Sequence, residues 1–342
     1  MLKSLDLKDF TVFPEAHLTF GANLNIVVGE NGSGKTHLLK AAYAAIAASA
    51  QQKGQLEPAL AEKLLGVFRP DNIGRLVRRR QGQGKLGLKY GFDVPAQDMA
   101  LEVSSQGNVK VTKPPSARVE KRPVFLPARE LLTISPGFVS LYETTHLPFE
   151  ETWRDTCILL GLPLARGPRQ AKIKPLLEPL ETAIGGAIES DQTGRFYLKL
   201  ATGSMEMHLV AEGLRKLATI ARLIANGSLL DKGYLFWDEP EANLNPKIIK
   251  TVARTILQLT GNGLQIFIAT HSLFLLRELH VLQQREFKQL DTRCFGLHIA
   301  AGGGVDVKDG AAMDDIGSIT ALDEDLQQSD RYVDAEMGLA LP

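Results

Sequence analysis

The sequence predicts an α/β fold in which helices pack on a largely parallel sheet. Two observations carry this. An apolar run, Leu24-Asn25-Ile26-Val27-Val28, enters a glycine-rich turn and then an Ala- and Leu-rich, helix-forming stretch over 35–50. Further along, short apolar runs at 234–237 and 266–269 flank a helical pattern at 247–259, the alternation that a parallel sheet requires.

Taken in order, Leu5, Leu7, Phe10, Val12, Leu18 and Phe20 alternate with polar residues and predict half-exposed strands before the buried strand at 24–28. From 51 to 122 the pattern weakens. A helix follows Pro58 around 60–68, then come a basic cluster and hairpin-like sequence through Lys89, Asp93 and Val109–Val111, together expected to form an inserted lobe. A second insertion, mainly helical, is expected over 137–195, with turns at Gly161-Leu162-Pro163 and Gly167-Pro168. Strands are predicted at 196–200 and 205–209, and Leu214, Leu217, Ala218, Ala221 and Ile224 mark one face of a helix. After Gly302-Gly303-Gly304 the chain becomes acidic, a disordered tail or a docking segment. The expected organisation is one head over 1–300 and a separate segment over 301–342.

Composition narrows the classes. At 342 residues and 44% hydrophobic, the chain can fill a large core, which excludes disordered and collagen-like proteins. Lys+Arg and Asp+Glu are equal at 39 each, so no overall field attracts nucleic acid, and any such partner must meet a local patch. The two cysteines, Cys157 and Cys294, have no metal-ligand spacing and read as inert thiols. No secretory leader and no run of eighteen apolar residues is found, so a cytoplasmic protein without a membrane partner is expected.

Gly29-Glu30-Asn31-Gly32-Ser33-Gly34-Lys35-Thr36 fits the phosphate-binding P-loop, between a strand and a helix as that motif demands. Its glycines let backbone N–H groups turn toward a β-phosphate at the positive end of the helix. Lys35 would add charge near the β- and γ-phosphates, and Thr36 would offer its hydroxyl to Mg²⁺. Leu235-Phe236-Trp237-Asp238-Glu239-Pro240 supplies a carboxylate at a strand end, where open α/β sheets bind ligands. Asp238 is the candidate metal ligand and Glu239 the candidate base for an attacking water. Thr270-His271-Ser272 ends another strand, and from there His271 could donate to a γ-phosphate.

These segments, with Glu241-Ala242-Asn243-Leu244-Asn245-Pro246 and the opening Leu5-Asp6-Leu7-Lys8-Asp9-Phe10, resemble the ABC-type ATPase heads of the chromosome-maintenance and recombination-repair class. More specifically, they look like compact bacterial AAA family ATP-binding proteins of defence and toxin-like gene pairs. The resemblance covers about 1–40, 122–135 and 205–300. It implies a P-loop NTPase fold of ABC-ATPase-head type, with an N-terminal antiparallel β subsheet and helical insertions. It also implies ATP and Mg²⁺ as cofactors, ATP hydrolysis, and a homodimer or higher oligomer that traps nucleotide between one subunit's P-loop and the other's signature motif.

The matching signature segment is Ala211-Glu212-Gly213-Leu214-Arg215-Lys216, in which Gly213 would face the partner's γ-phosphate. The family's serine is replaced there by Ala211 or Glu212, so a plain amphipathic core helix stays an open reading. A second departure is Glu130, at the end of Val124-Phe125-Leu126-Pro127-Ala128-Arg129-Glu130, where the family places a glutamine on Mg²⁺ and water. Phe10 or Phe13 is a candidate to stack on adenine. Without a coiled coil or appended nuclease, the resemblance implies a switch acting on a separate effector protein, with anti-phage defence as one setting. The alternatives are a DNA-binding repair or clamp-like head, gripping DNA through Arg75, Arg78, Arg79 and Arg80, and a module that binds ATP without turnover. Arg166, Arg169, Lys172 and Lys174 form a weaker basic cluster.

Overall fold

The computed structural model describes residues 1–49, 56–78, 84–145, 147–230 and 233–337. Its centre is a six-stranded sheet in the spatial order Val305–Gly310, Thr292–Ile299, Leu24–Gly29, Gln265–Thr270, Tyr234–Asp238, Pro123–Leu126. All neighbours run parallel except the first two, which form an antiparallel hairpin. The strand that enters the glycine loop, Leu24–Gly29, and the strand that ends at Asp238 are thus both neighbours of Gln265–Thr270, and their C-terminal ends share one edge.

Both faces of this sheet are buried, so its strands read as apolar runs without alternation. Leu24, Ile26, Val28, Leu235, Trp237, Ile266 and Ile268 enter one core, beneath helices Glu212–Ala225, Pro246–Gly261 and Leu273–Glu286. Val27, Tyr234, Phe236, Phe267, Ala269 and Phe295 enter the other, shared with helix Lys35–Ser49. Period-two side-chain direction sorts consecutive apolar residues into two compartments. Helix Lys35–Ser49 is therefore apolar nearly all round, being clamped between the central sheet and a second one.

That second sheet is antiparallel and five-stranded, ordered Phe13–Thr19, Leu2–Phe10, Lys85–Phe92, Met99–Ser104, Val109–Lys113. Gln265 ties the two sheets together. It is fully buried, accepts from Leu2 N at 3.0 Å and donates to the carbonyls of Leu2 at 2.7 Å and Gly21 at 2.8 Å. A small sheet of Ala187–Ser190, Phe196–Leu200 and Gly203–Glu206 meets helices Arg169–Ile184 and Glu212–Ala225, and helices Ser135–Thr144 and Glu151–Leu160 precede it in the chain. Two helices start where the sequence offers caps: Asn245 accepts from Ile248 N at 3.0 Å ahead of Pro246, and Ser272 accepts from Leu275 N at 3.2 Å.

Three expectations change. The hairpin sequence within 51–122 is not a lobe of its own, because strand Lys85–Phe92 pairs directly with Leu2–Phe10 and completes the N-terminal subsheet. The boundary at 300 falls inside a hairpin, since Val305–Gly310 pairs with Thr292–Ile299, and the acidic stretch is the helix Thr320–Glu336. Phe10 and Phe13 are fully buried core residues, Phe10 packed edge-on against Phe68, so neither presents a face to adenine. Among the described residues no helix is long and apolar enough to cross a membrane.

Candidate functional site

The loop between strand Leu24–Gly29 and helix Lys35–Ser49 is shaped by two glycines at positive φ, Gly32 at 84° and Gly34 at 89°. Gly34 is constrained twice. A Cβ there would meet Val12 Cγ2 at 2.6 Å and Phe13 Cε2 at 2.9 Å, so the turn between the first two strands presses against the loop. Asn31 and Gly32 are exposed at the loop's tip, while Ser33 is buried with an Oγ that has no protein partner. Gly29 fits closely as well, since a Cβ would lie 2.6 Å from Ser33 Oγ.

Lys35 is 6% exposed, and its Nζ donates to the carbonyls of Gly29 at 2.8 Å and Glu30 at 2.9 Å. Burial pulls its pKa down, opposed by Glu239, Asp238, Glu241 and Glu30. A phosphate chain would present the negative oxygens that this buried ammonium lacks among side-chain partners.

Across the sheet edge, Thr36 Oγ1 donates to Asp238 Oδ2 at 2.8 Å. Asp238 is 9% exposed and its other oxygen, Oδ1, has no protein partner. Burial raises its pKa, partly offset by the Thr36 hydrogen bond. A hydroxyl beside a carboxylate with one orphaned oxygen is a hard-oxygen donor set that fits Mg²⁺, which usually takes only one or two protein ligands beside substrate phosphates. Among the described residues no group of three or more His, Cys, Asp or Glu forms a closed metal cage.

Glu239 follows with a left-handed backbone, φ 45°, and its N–H donates to Ala269 O at 2.9 Å. Its Oε1 lies 3.5 Å from His271 Nδ1, so the predicted base and the predicted donor are adjacent, both side chains partly exposed. The structure thus brings Lys35, Thr36, Asp238, Glu239 and His271 to one edge.

Two participants were missed by the sequence reading. Glu241 is buried, and its Oε1 accepts from Thr270 Oγ1 at 2.6 Å and His271 N at 3.4 Å, which fixes the segment carrying His271. Lys216 is 5% exposed and donates to the Glu239 carbonyl. Burial lowers its pKa to about 8 against the pull of Glu241, Glu239, Asp238 and Glu212. The available signals were a third carboxylate two residues beyond Glu239 and a lysine interrupting a largely apolar helix.

Gly213 sits in the first turn of helix Glu212–Ala225, whose start at Ala211 has no side-chain cap. A Cβ on Gly213 would come within 2.6 Å of the Asn243 carbonyl, and Asn243, at φ 63°, donates to Glu212 Oε1 at 2.9 Å.

Glu130 is held by protein partners. Its side chain is 6% exposed, forms an ion pair with Arg215 Nε at 3.0 Å, and accepts from Thr133 Oγ1 at 2.6 Å. A contact to Mg²⁺ would require Glu130 to share or exchange those partners. The basic cluster is also engaged. Arg75 pairs with Asp71 at 3.0 Å, and Arg78 donates to the carbonyls of Val12 at 2.8 Å and Gly303 at 3.0 Å. Arg79 and Arg80 lie outside the described residues.

Comparison with known proteins agrees with this geometry. Residues 124–277 match the family described as "AAA domain, putative AbiEii toxin, Type IV TA system". The crystal structure of the SmcHead bound to the C-winged helix domain of ScpA superposes with a TM-score of 0.56 at 12% identity, covering 92% of this chain and 98% of that one. The Smc head domain with an extended coiled coil bound to the C-terminal domain of ScpA, from Pyrococcus furiosus, gives 0.53 at 11% identity, covering 97% and 99%. The chain has the fold of an ABC-type ATPase head of the chromosome-maintenance class, and its segment bearing Asp238, Glu239 and His271 is similar to that AAA domain family.

Proposed function

We propose that the protein binds ATP with Mg²⁺, closes as a homodimer around two nucleotides, hydrolyses them, and uses the cycle to hold or release a separate effector protein. The observation that carries this reading is the Thr36–Asp238 contact at 2.8 Å with Asp238 Oδ1 free beside it, one residue from Glu239.

The loop N–H groups and Lys35 hold the phosphate chain, Lys35 exchanging its carbonyl partners for phosphate oxygens. Thr36 and Asp238 would hold Mg²⁺, which would supply neutralisation of phosphate charge when bound. Glu239 accepts a proton from the water attacking the γ-phosphorus, and His271 donates to a γ-phosphate oxygen. The uncapped N-terminus of helix Glu212–Ala225, with Gly213 in its first turn, offers free N–H groups to the partner's γ-phosphate.

The effector reading is supported by the related Smc heads, whose solved structures contain a bound ScpA domain. A toxin-like gene pair as the setting is supported by the description of the matched family, which names a "putative AbiEii toxin" and a type IV TA system; a cytoplasmic, anti-phage role belongs to the same reading. The DNA-clamp alternative loses support from the engagement of Arg78 with two backbone carbonyls.

Light scattering of the Glu239→Gln protein with and without Mg·ATP is the direct test of closure, alongside phosphate release by the wild type. We expect the mass to double on ATP addition. A monomer whose mass stays constant with saturating ATP bound refutes the sandwich, and a wild type without phosphate release refutes turnover.

A further inference from the structure

Glu239 is the one residue of the acidic segment whose backbone is both left-handed and held from two elements. Its N–H donates to Ala269 O, extending by one residue the pairing that joins Asp238 to Ala269. Its carbonyl accepts from Lys216 Nζ, which comes from helix Glu212–Ala225. A φ of 45° at a glutamate is strained and persists only when its surroundings over-determine it.

Lys216 is a costly way to supply that restraint. Its side chain is 5% exposed, where an apolar residue would pack without a charge to compensate, yet four carboxylates, Glu241, Glu239, Asp238 and Glu212, lie close enough to stabilise it. The same helix meets the segment after Glu239 twice more, through Glu212 with Asn243 and through the close fit of Gly213 against the Asn243 carbonyl. The helix that starts at the signature segment and the turn that carries Glu239 are therefore fastened at three points within one subunit.

Building on the ATPase reading, we propose that Lys216 is a positioning residue for Glu239: it clamps the Glu239 carbonyl, fixes the left-handed turn, and so aims the carboxylate at the attacking water. Through Lys216, a shift of the signature helix on meeting a partner's nucleotide moves the subunit's own base. Among the described residues, Lys216 donates to the Glu239 carbonyl and not to the P-loop, so its loss acts on the chemical step and leaves ATP affinity in place.

The test measures steady-state hydrolysis and equilibrium ATP binding for the wild type, Glu239→Gln, Lys216→Met and Lys216→Arg, with thermal melts to confirm folding. We expect Lys216→Met to lower kcat by about a hundredfold, the scale for a misplacement near 1 Å, with ATP affinity within about threefold of the wild type. Lys216→Arg, which keeps a charged donor, should recover most of that loss. Should Lys216→Met not fold, Lys216→Gln is assayed in its place against the same expectations. A folded apolar or Gln variant with wild-type kcat overturns the assignment, as does one whose loss lies in ATP affinity alone, or an Arg variant no better than Met. A wild type without turnover overturns the ATPase reading and this assignment together, whereas turnover lost in Glu239→Gln but kept in Lys216→Met overturns the assignment alone.

Discussion

Replacing Gly34 by Ala, against Gly32→Ala as its control, separates two constraints on the phosphate loop. Both glycines sit at similar positive φ, 84° and 89°, so each substitution forces an L-residue into the left-handed region at about 1–2 kcal/mol. Around Gly32 nothing lies within 4 Å of the added Cβ. At Gly34 the methyl group would come to 2.6 Å from Val12 Cγ2, 2.9 Å from Phe13 Cε2 and 3.0 Å from Phe13 Cζ. Phe13 is fully buried and cannot swing away, so an overpacking cost of about 1–3 kcal/mol adds to the first. Gly34→Ala should then cost about 2–5 kcal/mol and Gly32→Ala about 1–2 kcal/mol. Urea unfolding reads the stability difference, and titration with a fluorescent ATP analogue reads what is absorbed by loop distortion. The two readouts together should separate the variants by about 1–3 kcal/mol, or roughly 5- to 150-fold in an equilibrium constant. Equal losses, within about 0.5 kcal/mol of each other, would refute the idea that the turn at Val12 and Phe13 braces the loop.

Other expectations follow from the same contacts. Asp238→Asn should keep ATP binding in EDTA while losing Mg²⁺-dependent phosphate release by about a hundredfold or more, a few kcal/mol of metal-assisted stabilisation; an unchanged Mg²⁺ dependence would contradict the ligand role. Arg215→Ala strands the buried Glu130 carboxylate and should lower stability by about 3–5 kcal/mol in urea melts, against little change if the pair were a surface contact. Arg78→Ala should cost about 1.5–3 kcal/mol by removing its bonds to Val12 and Gly303, with a melt unchanged from wild type as the contrary result. Burial pushes the Cys157 thiol up to about 12 and the Cys294 thiol up to about 11, from an ordinary value of 9.0. Both should resist iodoacetamide at pH 8 in the native protein and react once it unfolds. Because the unfolded chain ionises first, their contribution to stability is intact below pH 9 and is lost as pH rises toward 11 and 12. Denaturation midpoints across that range check the sign.

The parts of the site legible in the sequence were those whose chemistry is local. Lys35 and Thr36 follow their glycines directly, and Asp238 and His271 end apolar runs, so spacing alone placed each at a strand or helix terminus. That the strand entering the glycine loop, Leu24–Gly29, pairs with Gln265–Thr270 is a contact over more than two hundred residues, which no window of sequence reports. Lys216 and Glu241 stayed hidden for the same reason, because each acts on a residue brought to it by topology. The ion pair of Glu130 was hidden because its partner, Arg215, arrives from the start of a distant helix. For the fold, alternation identified the first strands, but the strand Lys85–Phe92 contains Gly87 and Gly91 and reads as loop-like until it pairs with Leu2–Phe10. The boundary at 300 was drawn on three glycines that turn out to be a hairpin turn.

The strand that leads into the glycine loop is flanked on both sides by latecomers, Gln265–Thr270 and Thr292–Ile299. A ribosome adding about 5–20 residues each second would leave Leu24–Gly29 without either neighbour for roughly 10–50 s. During that interval the strand leading to the phosphate loop lacks both its neighbours in the central sheet, and Asp238 has not been synthesised for most of the wait. Nucleotide capture is thereby deferred until nearly the whole chain has emerged, so an interrupted translation product should be blind to ATP and dependent on chaperones for its exposed apolar strand.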